Sequence, residues 1–389
     1  MENSKKMGVN TICAHVGEVK DEQFKGAISP LYMSSSYAYE NVDIKRYPRY
    51  FNTPNQEALG KKIAALEYTE AGMIFGSGMA AVSHCLLAFL QKGDHIVLPK
   101  TLYGGTYNFI VEEFGKFGIE YTFADGFREE DFRKALQKNT KVLYVETPSN
   151  PLMRITDLEM IANLAKEHSL VSMIDNTFAS PINQNPANFG IDIMIHSATK
   201  YMGGHSDICA GAVAASEEHM LRIWNLSKNI GGSLSDYTVW LLERSLKTMA
   251  LRVKAQNRNA KRMAKWLQKQ PLVKKVYYPG LKDHPDYHLA KKQMKGYSGM
   301  LSFELIPSID AEAFMEALQL IKQSMSLAGV ESTILSPAKT SHALLSAEER
   351  EHQGIGDGLL RFSVGIEEKK DLIADIEQAF EAVAKKELV

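Results

Sequence analysis

Short apolar runs recur through the middle of the chain, and segments of helical pattern separate them. Residues 171–174 are apolar except for Ser172, and residues 193–195 are apolar throughout, as in strands that are buried on both faces. Alternation of such strands with helices predicts an α/β fold, in which helices cover both faces of a mostly parallel sheet. Polar residues follow both runs directly, Asp175 the first and His196 the second. Because ligands bind at the carboxyl ends of strands in such sheets, these two positions indicate where a site lies.

The same patterns continue on both sides of this region. Strands are also predicted at residues 96–98, 142–146 and 211–214, and helices at residues 55–66, 79–91, 106–117 and 158–168. A long helix or helix pair is predicted at about residues 237–270, and strand-like and helical segments alternate again from residue 273 to a closing helix at residues 372–384. We therefore expect a large domain over residues 49–248 and a smaller C-terminal α/β domain over residues 249–389.

Residues 1–48 differ from the rest because they show little periodicity. They are rich in Ser, Tyr and Lys and contain Ser29-Pro30 and Tyr47-Pro48, which interrupt regular structure. Such a segment rarely forms a core of its own. We therefore predict an N-terminal arm that contacts a neighbouring subunit.

Charge and composition exclude several classes of partner. The 45 basic residues nearly balance the 46 acidic ones, so nothing indicates a nucleic acid or an anionic membrane as partner. The polar N-terminus does not resemble a signal peptide, and the apolar stretch at residues 80–90 is too short to span a bilayer. Cys13, Cys85 and Cys209 have no paired spacing. This predicts three buried thiols, no disulfide framework, no metal site and a cytoplasmic protein.

Lys200 stands just behind the second apolar run, in the segment His196-Ser197-Ala198-Thr199-Lys200. A lysine held beside a buried strand can have a lowered pKa and act as an amine nucleophile or base. The hydroxyls of Ser197 and Thr199 could bind a phosphate. An amine and a phosphate site are what pyridoxal phosphate (PLP) requires of a protein. Taken alone, the short motif favours the alternative that Lys200 is a solvated lysine in a loop at a strand end.

Asp175 supplies a second part of such a site. A carboxylate at the end of a buried strand is unfavourable unless it is paired. PLP enzymes place a carboxylate against the pyridine nitrogen, which keeps that nitrogen protonated. The alternative for Asp175 alone is a helix cap, but its position one strand before Lys200 favours the cofactor.

Two glycine-containing segments lie close to predicted helix starts. Gly76-Ser77-Gly78-Met79 opens a helix, where free backbone amides bind anions, although many ordinary helices begin in this way. Tyr103 precedes Gly104-Gly105, and an aromatic ring there either covers a flat cofactor or belongs to a simple turn.

Arg361 lies inside the apolar segment of residues 359–364. An arginine in a buried strand needs a partner, and a carboxylate suits it because two N–H groups can bind the two oxygens. The partner is either the α-carboxylate of a substrate or an internal acid of the protein.

In their order along the chain, these motifs resemble the Cys/Met-metabolism PLP enzymes. This family contains cystathionine γ-synthases, cystathionine γ- and β-lyases, methionine γ-lyases and O-acetylhomoserine sulfhydrylases. The resemblance covers about residues 11–384, and its most specific parts are residues 175–178, 196–201 and 204–205. Further matches lie at residues 47–49, 77–81, 102–106, 146–151 and 361–365. The resemblance implies fold type I of the PLP-dependent transferases, with a large, mostly parallel sheet domain and a smaller C-terminal α/β domain.

The resemblance also implies roles for individual residues. Lys200 is expected to be the Schiff-base lysine and a proton shuttle, Asp175 to hold the pyridinium, and Tyr103 to stack on the ring and to act in proton transfer. The expected ligands of the phosphate are Gly78, Met79, Ser197 and Thr199, with Tyr47 and Arg49 contributed by a neighbouring subunit. Asn150 is expected beside the ring hydroxyl, and the expected contacts of the amino-acid substrate are Arg361, Ser326, Asn150 and Met325. The shared site implies at least a homodimer, and usually a dimer of dimers.

The chain departs from the family pattern at positions that bear on the substrate. Met325 stands where cystathionine γ-synthases and γ-lyases often have a glutamate, which weakens the case for a charged distal group. Gly105 stands where methionine γ-lyases usually carry a cysteine, which argues against a methionine γ-lyase. The two positions therefore conflict. Residues 47–54 and 231–235 also differ from the family pattern, so the local loops are expected to differ.

The main prediction is a PLP-dependent carbon–sulfur lyase of sulfur amino acids, with cystathionine favoured over methionine. The alternatives are a γ-replacement synthase acting on an activated homoserine ester, a methionine γ-lyase, and a silent PLP-binding scaffold. The presence of Lys200, Asp175, Tyr103 and Arg361 argues against the scaffold. The choice between β- and γ-elimination depends on how Lys200 and Tyr103 are placed over the substrate.

Overall fold

The structure is a computed structural model and describes residues 7–340, 346, 348, 350 and 354–386. The strands β1 to β12 are Ala71–Phe75, His95–Pro99, Glu120–Ala124, Thr140–Glu146, Val171–Asp175, Ile193–Ser197, Gly211–Ala215, Val273–Tyr277, Met300–Leu305, Lys322–Gln323, Thr333–Leu335 and Leu359–Ser363. The helices α1 to α14 are Val9–His15, Pro54–Glu67, Gly78–Phe89, Gly104–Asn108, Phe114–Phe117, Glu129–Ala135, Leu158–Glu167, Ser180–Asn183, Glu217–Ile230, Asp236–Leu246, Met249–Leu267, Tyr287–Gln293, Ala311–Ala317 and Lys369–Lys386. A π-helical turn joins α4 to α5, and the 3-10 turns are Pro48–Tyr50, Pro186–Phe189 and Pro337–Lys339.

Within the described part of the chain, seven strands form the large sheet in the order β1-β7-β6-β5-β4-β2-β3. Neighbouring strands pair in parallel in the run β6-β5-β4-β2-β3, and β7 runs antiparallel to both β6 and β1. This confirms the mostly parallel sheet predicted from the sequence. Successive residues of one strand face opposite sides, so Ile174 packs in the core on one face and Met173 in the core on the other. Burial on both faces explains the continuous apolar runs.

Five strands in the same described ranges form a second sheet, in the order β10-β11-β12-β9-β8. Its core includes Phe303, Phe314 and Phe380, and the rings of the last two lie 4.9 Å apart. The helix α11 contributes to both cores, because its first half packs with the large sheet and its second half with the smaller one. The expected domain boundary between residues 248 and 249 falls at the start of this shared helix, and it stays a prediction.

The first part of the N-terminal arm is more ordered than the sequence suggests. The helix α1 lies within it, and Ile12 and Cys13 of this helix are fully buried against the main core. Lys62, itself fully buried, donates a hydrogen bond from its amine to the carbonyl of Cys13 at 2.8 Å. Two buried residues in a seven-residue helix do not give a periodic pattern that the sequence would reveal. Farther along, the arm exposes apolar side chains, among them Phe24, Met33, Tyr39 and Ile44.

The sequence also did not indicate β1 and β3, the two edge strands of the large sheet. The strand β1 starts with Ala71-Gly72, and β3 contains Glu120 and Thr122, so neither has the continuous apolar pattern of the central strands.

No helix of the described residues is long and apolar enough to cross a membrane.

The parallel strands β2, β4, β5 and β6 end at one edge of the large sheet. Glu146 lies opposite Asp175 in the pairing of β4 with β5, and Asp175 lies opposite Ile195 in the pairing of β5 with β6. The polar residues that follow these strands therefore converge on one place.

Candidate active site

A cavity of about 670 Å³ opens at this edge, between the large sheet and the second sheet. It brings together the predicted site residues other than Tyr47 and Arg49: Gly78, Met79, Tyr103, Asn150, Asp175, Ser197, Thr199, Lys200, Met325, Ser326 and Arg361. Other residues that line it had no predicted role, among them Lys100, Glu146, Thr177 and Cys209.

Lys200 follows β6 in a tight turn. The turn is closed by hydrogen bonds from the Lys200 N–H to the Ser197 carbonyl at 3.1 Å and from the Gly204 N–H to the Lys200 carbonyl at 2.7 Å. Burial and the nearby Arg361 guanidinium lower the pKa of the Lys200 amine to about 8, although Cys209 and Asp175 act in the opposite direction. An amine with this pKa exists partly in its neutral, nucleophilic form near neutral pH.

Asp175 is buried at the end of β5, with 8% of its surface exposed. Its Oδ1 accepts a hydrogen bond from the Thr177 N–H at 2.9 Å, and the Thr177 hydroxyl accepts one from the Ser197 N–H at 2.8 Å. Burial raises the pKa of Asp175, while Thr177, His196 and Lys200 lower it. A protonated ring nitrogen in the cavity would offset the burial of this carboxylate, so its environment fits the predicted role toward a pyridine ring.

The start of α3 lies directly against the end of β6. Ser77 caps the helix, its hydroxyl accepting a hydrogen bond from the Ala80 N–H at 3.0 Å. A Cβ atom on Gly78 would lie 2.7 Å from the Cβ of Ser197, so only glycine allows this approach. The first N–H groups of a helix have no carbonyl partner within it. These amides, with the hydroxyls of Ser197 and Thr199 at the same wall, fit a phosphate group.

Tyr103 is the N-cap residue directly before α4 and is half-exposed toward the cavity. Its backbone N–H donates to Oε2 of Glu146 at 2.8 Å, and Glu146 is 3% exposed. Burial and the neighbouring Asp175 hold the pKa of Glu146 well above its ordinary value. A Cβ atom on Gly105 would lie 2.6 Å from a ring carbon of Tyr103, so glycine at residue 105 allows the ring to occupy its present position.

Arg361 lies in β12 of the second sheet and is 6% exposed. Its guanidinium donates to Oδ1 of Asn150 at 3.1 Å and to the carbonyl of Ser326 at 3.1 Å. Burial lowers the pKa of Arg361 to about 10, against the effect of Glu146 and Tyr103. Within the described ranges, no carboxylate forms a salt bridge with this guanidinium. The arrangement therefore favours the carboxylate of a substrate over an internal acid as its partner.

The loop before β11 forms the outer wall of the cavity. Ser326 and Ala328 have left-handed backbone conformations, with φ angles of 81° and 67°. The Ala328 N–H donates to the hydroxyl of Ser363 at 2.7 Å, which fixes this conformation to β12. Met325 lies at the rim with 70% of its surface exposed, so it can contact the distal part of a substrate that reaches out of the cavity.

Tyr47 and Arg49 lie outside the cavity of their own chain, and both are exposed. The Arg49 guanidinium lies over the rings of Tyr47 and Tyr50, at 5.5 and 5.2 Å from the ring centroids, and donates to the carbonyl of Lys228. Their contribution to a neighbouring subunit stays a prediction.

The prediction of three buried cysteines is wrong for Cys209. Cys13 and Cys85 are buried, whereas Cys209 is exposed and lines the cavity. Cys209 lies in the loop between β6 and β7, where its neighbours Ile208 and Ala210 pack in the core while Cys209 itself lines the cavity.

Glu146 is a buried acid of the cavity wall for which no role was predicted. It ends a third parallel strand, as Asp175 ends its neighbour. The common position of the two acids at strand ends was visible in the sequence, but their direct juxtaposition depends on the register of β4 with β5.

Comparison with known proteins gives a consistent result. The family described as Cys/Met metabolism PLP-dependent enzyme matches residues 10–381. The chain is 42% identical to a cystathionine gamma-lyase of Bacillus subtilis over 97% of its length and 100% of the relative. It is also 42% identical to a cystathionine beta-lyase of Lactococcus lactis over 94% of its length and 97% of the relative. The crystal structure of cystathionine gamma-lyase from Lactobacillus plantarum complexed with L-serine superposes with a TM-score of 0.94 at 39% identity, over 97% of this chain and 100% of that one. The chain therefore belongs to the family of Cys/Met metabolism PLP-dependent enzymes, whose cofactor is pyridoxal phosphate.

Proposed function

We propose that this protein is a PLP-dependent carbon–sulfur lyase of trans-sulfuration whose substrate is cystathionine. One observation carries the proposal. Ser326 contacts both the Lys200 amine, through its hydroxyl at 2.9 Å, and the Arg361 guanidinium, through its carbonyl at 3.1 Å. An amino acid whose carboxylate binds Arg361 would hold its Cα atom close to the Lys200 amine, where a proton can be removed.

The residues that would hold the cofactor surround the same space. Asp175 would face the ring nitrogen, Tyr103 would cover the ring, and Asn150 would lie beside the ring hydroxyl. The phosphate would be held by Gly78, Met79, Ser197 and Thr199. When bound, PLP supplies an electron sink that makes the Cα proton of an amino acid acidic.

Lys200 is the proposed acid–base group. Its pKa of about 8 lets it accept a proton at Cα and return a proton later, since neither form is strongly disfavoured near neutral pH. When the C–S bond breaks, the departing sulfur needs a proton to leave as a thiol. Lys200 and the Tyr103 hydroxyl are the candidate donors, because both line the cavity.

The finer points of organisation are also proposals. Residues 1–48 act as an arm of a homo-oligomer, a dimer of dimers, in which Tyr47 and Arg49 reach the phosphate site of a neighbouring subunit. The exposed apolar side chains of the arm support this. The large and small domains are residues 49–248 and 249–389. Three free cysteines, all in the described part of the chain, support a cytoplasmic location.

The test is a substrate panel with the purified, PLP-loaded protein. Cystathionine, methionine, and an O-acylhomoserine with cysteine are offered separately, and pyruvate, 2-oxobutanoate and cystathionine are measured. We expect a 2-oxo acid from cystathionine at a higher kcat/KM than from methionine. Formation of cystathionine alone would indicate the γ-replacement synthase instead.

The Lys200→Ala variant is the control for the role of this residue. It should lose both turnover and the absorbance band of lysine-bound PLP. Turnover equal to the wild type in this variant would contradict the proposed site.

A further inference from the structure

A buried acid and a buried histidine lie behind the cavity, on the opposite face of the large sheet. Glu67, the last residue of α2, is fully buried, and His196 of β6 is 2% exposed. His196 Nε2 donates to Oε1 of Glu67 at 2.6 Å. His196 follows Ile195, the residue paired with Asp175, so its side chain faces away from the cavity. The proposed reaction uses neither residue of this pair.

Glu67 also fixes the residue that follows Asp175. Asn176 Nδ2 donates to the same Glu67 oxygen at 2.8 Å and to the carbonyl of Gln184 at 3.1 Å. The Asn176 backbone N–H donates to the carbonyl of Ile195 at 2.9 Å, and its Oδ1 accepts from Nε2 of Gln184 at 3.0 Å. One carboxylate oxygen therefore joins the ends of β5 and β6, the two strands that carry Asp175 and lead to Lys200.

Stability alone does not account for this arrangement. Oε2 of Glu67 has no hydrogen-bond partner among the described residues, so half of the carboxylate is buried without compensation. Apolar replacement of buried ionic groups is often neutral or stabilising, so such a pair is weak evidence for a stabilising role. Its contacts to both site-forming strands indicate a function there.

The electrostatic surroundings of Asp175 suggest what that function is. Burial raises the pKa of Asp175, and the groups that act against burial are Thr177, His196 and Lys200. Of these, His196 lies on the far side of the sheet, and its ring is held by Glu67. Loss of Glu67 would free the His196 ring and remove one of the three hydrogen bonds that hold the Asn176 side chain.

We propose that Glu67 is a positioning residue, which fixes His196 and Asn176 and thereby holds the Asp175 carboxylate, ionised, at the ring nitrogen of PLP. This inference rests on the proposed role of Asp175 toward the cofactor. His196, the first residue of the motif at residues 196–201, then supports the cofactor site from the far side of the sheet.

The test compares Glu67→Gln with a matched control, Glu243→Gln. Glu243 is 2% exposed, its Oε1 accepts from the Ser29 hydroxyl at 2.9 Å, and its Oε2 has no partner within the described ranges. Each holoenzyme is prepared with PLP labelled with ¹⁵N at the ring nitrogen, and its protonation is read by solid-state NMR. The dissociation constant for PLP is measured by titrating each apoprotein. Asp175→Asn serves as the positive control for both readouts.

We expect Glu67→Gln to shift the ¹⁵N signal toward that of a neutral pyridine and to weaken PLP binding about tenfold, which corresponds to about 1.4 kcal/mol. Glu243→Gln should leave both unchanged, even where both variants lower the melting temperature. An unshifted signal in Glu67→Gln beside a shifted one in Asp175→Asn would overturn the inference. An unshifted signal in Asp175→Asn would instead refute the proposed role of Asp175.

A second variant covers the case in which Glu67→Gln does not fold. His196→Asn removes the ring that Glu67 holds and leaves the carboxylate bonded to Asn176. We expect the same direction of change in the ¹⁵N signal. An unchanged signal in a folded His196→Asn holoenzyme would also overturn the inference.

Discussion

The Lys200 amine lies 2.9 Å from the hydroxyl oxygen of Ser326. Lys200 follows a strand of the large sheet, whereas Ser326 belongs to a loop of the second sheet. The backbone carbonyl of Ser326 accepts a hydrogen bond from Arg361. The Lys200 amine and the Arg361 guanidinium thus come from different sheets and meet at one serine. The active cavity depends on the way the two sheets pack together.

Removal of the Ser326 hydroxyl should affect kcat more than KM. Ser326→Ala loses the contact to the Lys200 amine but keeps the carbonyl that Arg361 uses, and a hydrogen bond of this kind corresponds to about a fivefold change in rate. Steady-state kinetics with cystathionine measures the effect. The control is Ser324→Ala, because the Ser324 hydroxyl is exposed and donates to the backbone carbonyl of Met325. Equal losses in the two variants would count against a role for the Ser326 hydroxyl.

The sequence predicted the parts of the site that follow from local pattern. Lys200 and Asp175 were indicated because each follows an apolar run, and parallel strands end at one edge. The role of Glu146 was not predicted, because its contact with the Tyr103 backbone depends on the pairing of β4 with β5 and on the turn into α4. Contacts between residues far apart in the chain depend on packing, which a single sequence does not reveal.

Arg361 should control the binding of amino-acid substrates. The guanidinium is buried, and its contacts to Asn150 and Ser326 hold it in place, so a substrate carboxylate would form charge-assisted hydrogen bonds with it. Arg361→Met should lower kcat/KM about ten- to a hundredfold, the range for hydrogen bonds to charged groups. Amino-acid analogues that lack the carboxylate are the control. The ratio of kcat/KM for cystathionine to kcat/KM for such an analogue should be smaller in the variant than in the wild type. An unchanged kcat/KM for cystathionine would contradict the assignment.

The pH dependence of PLP uptake should report the amine of Lys200. The neutral amine is the form that reacts with the aldehyde, so the rate of uptake by the apoprotein should rise with pH through a midpoint of about 8. Arg361 lowers the pKa of Lys200 and Cys209 raises it. Arg361→Met should therefore move the midpoint to higher pH, and Cys209→Ser should move it to lower pH. The measurement is the initial rate of change in PLP absorbance on mixing, and shifts of the same sign in both variants would refute this account.

A methyl group at residue 105 should displace the ring of Tyr103. The Cβ of Gly105→Ala would lie 2.6 Å from a ring carbon, closer than van der Waals contact allows, so the ring must move away from its present place in the cavity wall. We expect about a tenfold loss in kcat/KM, corresponding to about 1.4 kcal/mol of transition-state stabilisation. The control is Gly115→Ala in the neighbouring helix, where nothing lies within 4 Å of the added Cβ. That variant should keep full activity, and equal activity in both would show that the ring position does not matter.

Two inactive variants should restore activity to each other if the site is shared between subunits. Arg49 lies outside the cavity of its own chain, and we propose that it serves a neighbouring one. In a mixed dimer of Arg49→Met and Lys200→Ala chains, one site has both defects and the other has neither. Coexpression should give roughly a quarter of the wild-type activity, since about half of randomly formed dimers are mixed and each has one intact site. Activity no higher than the mean of the two separately purified variants would show that Arg49 acts within its own chain.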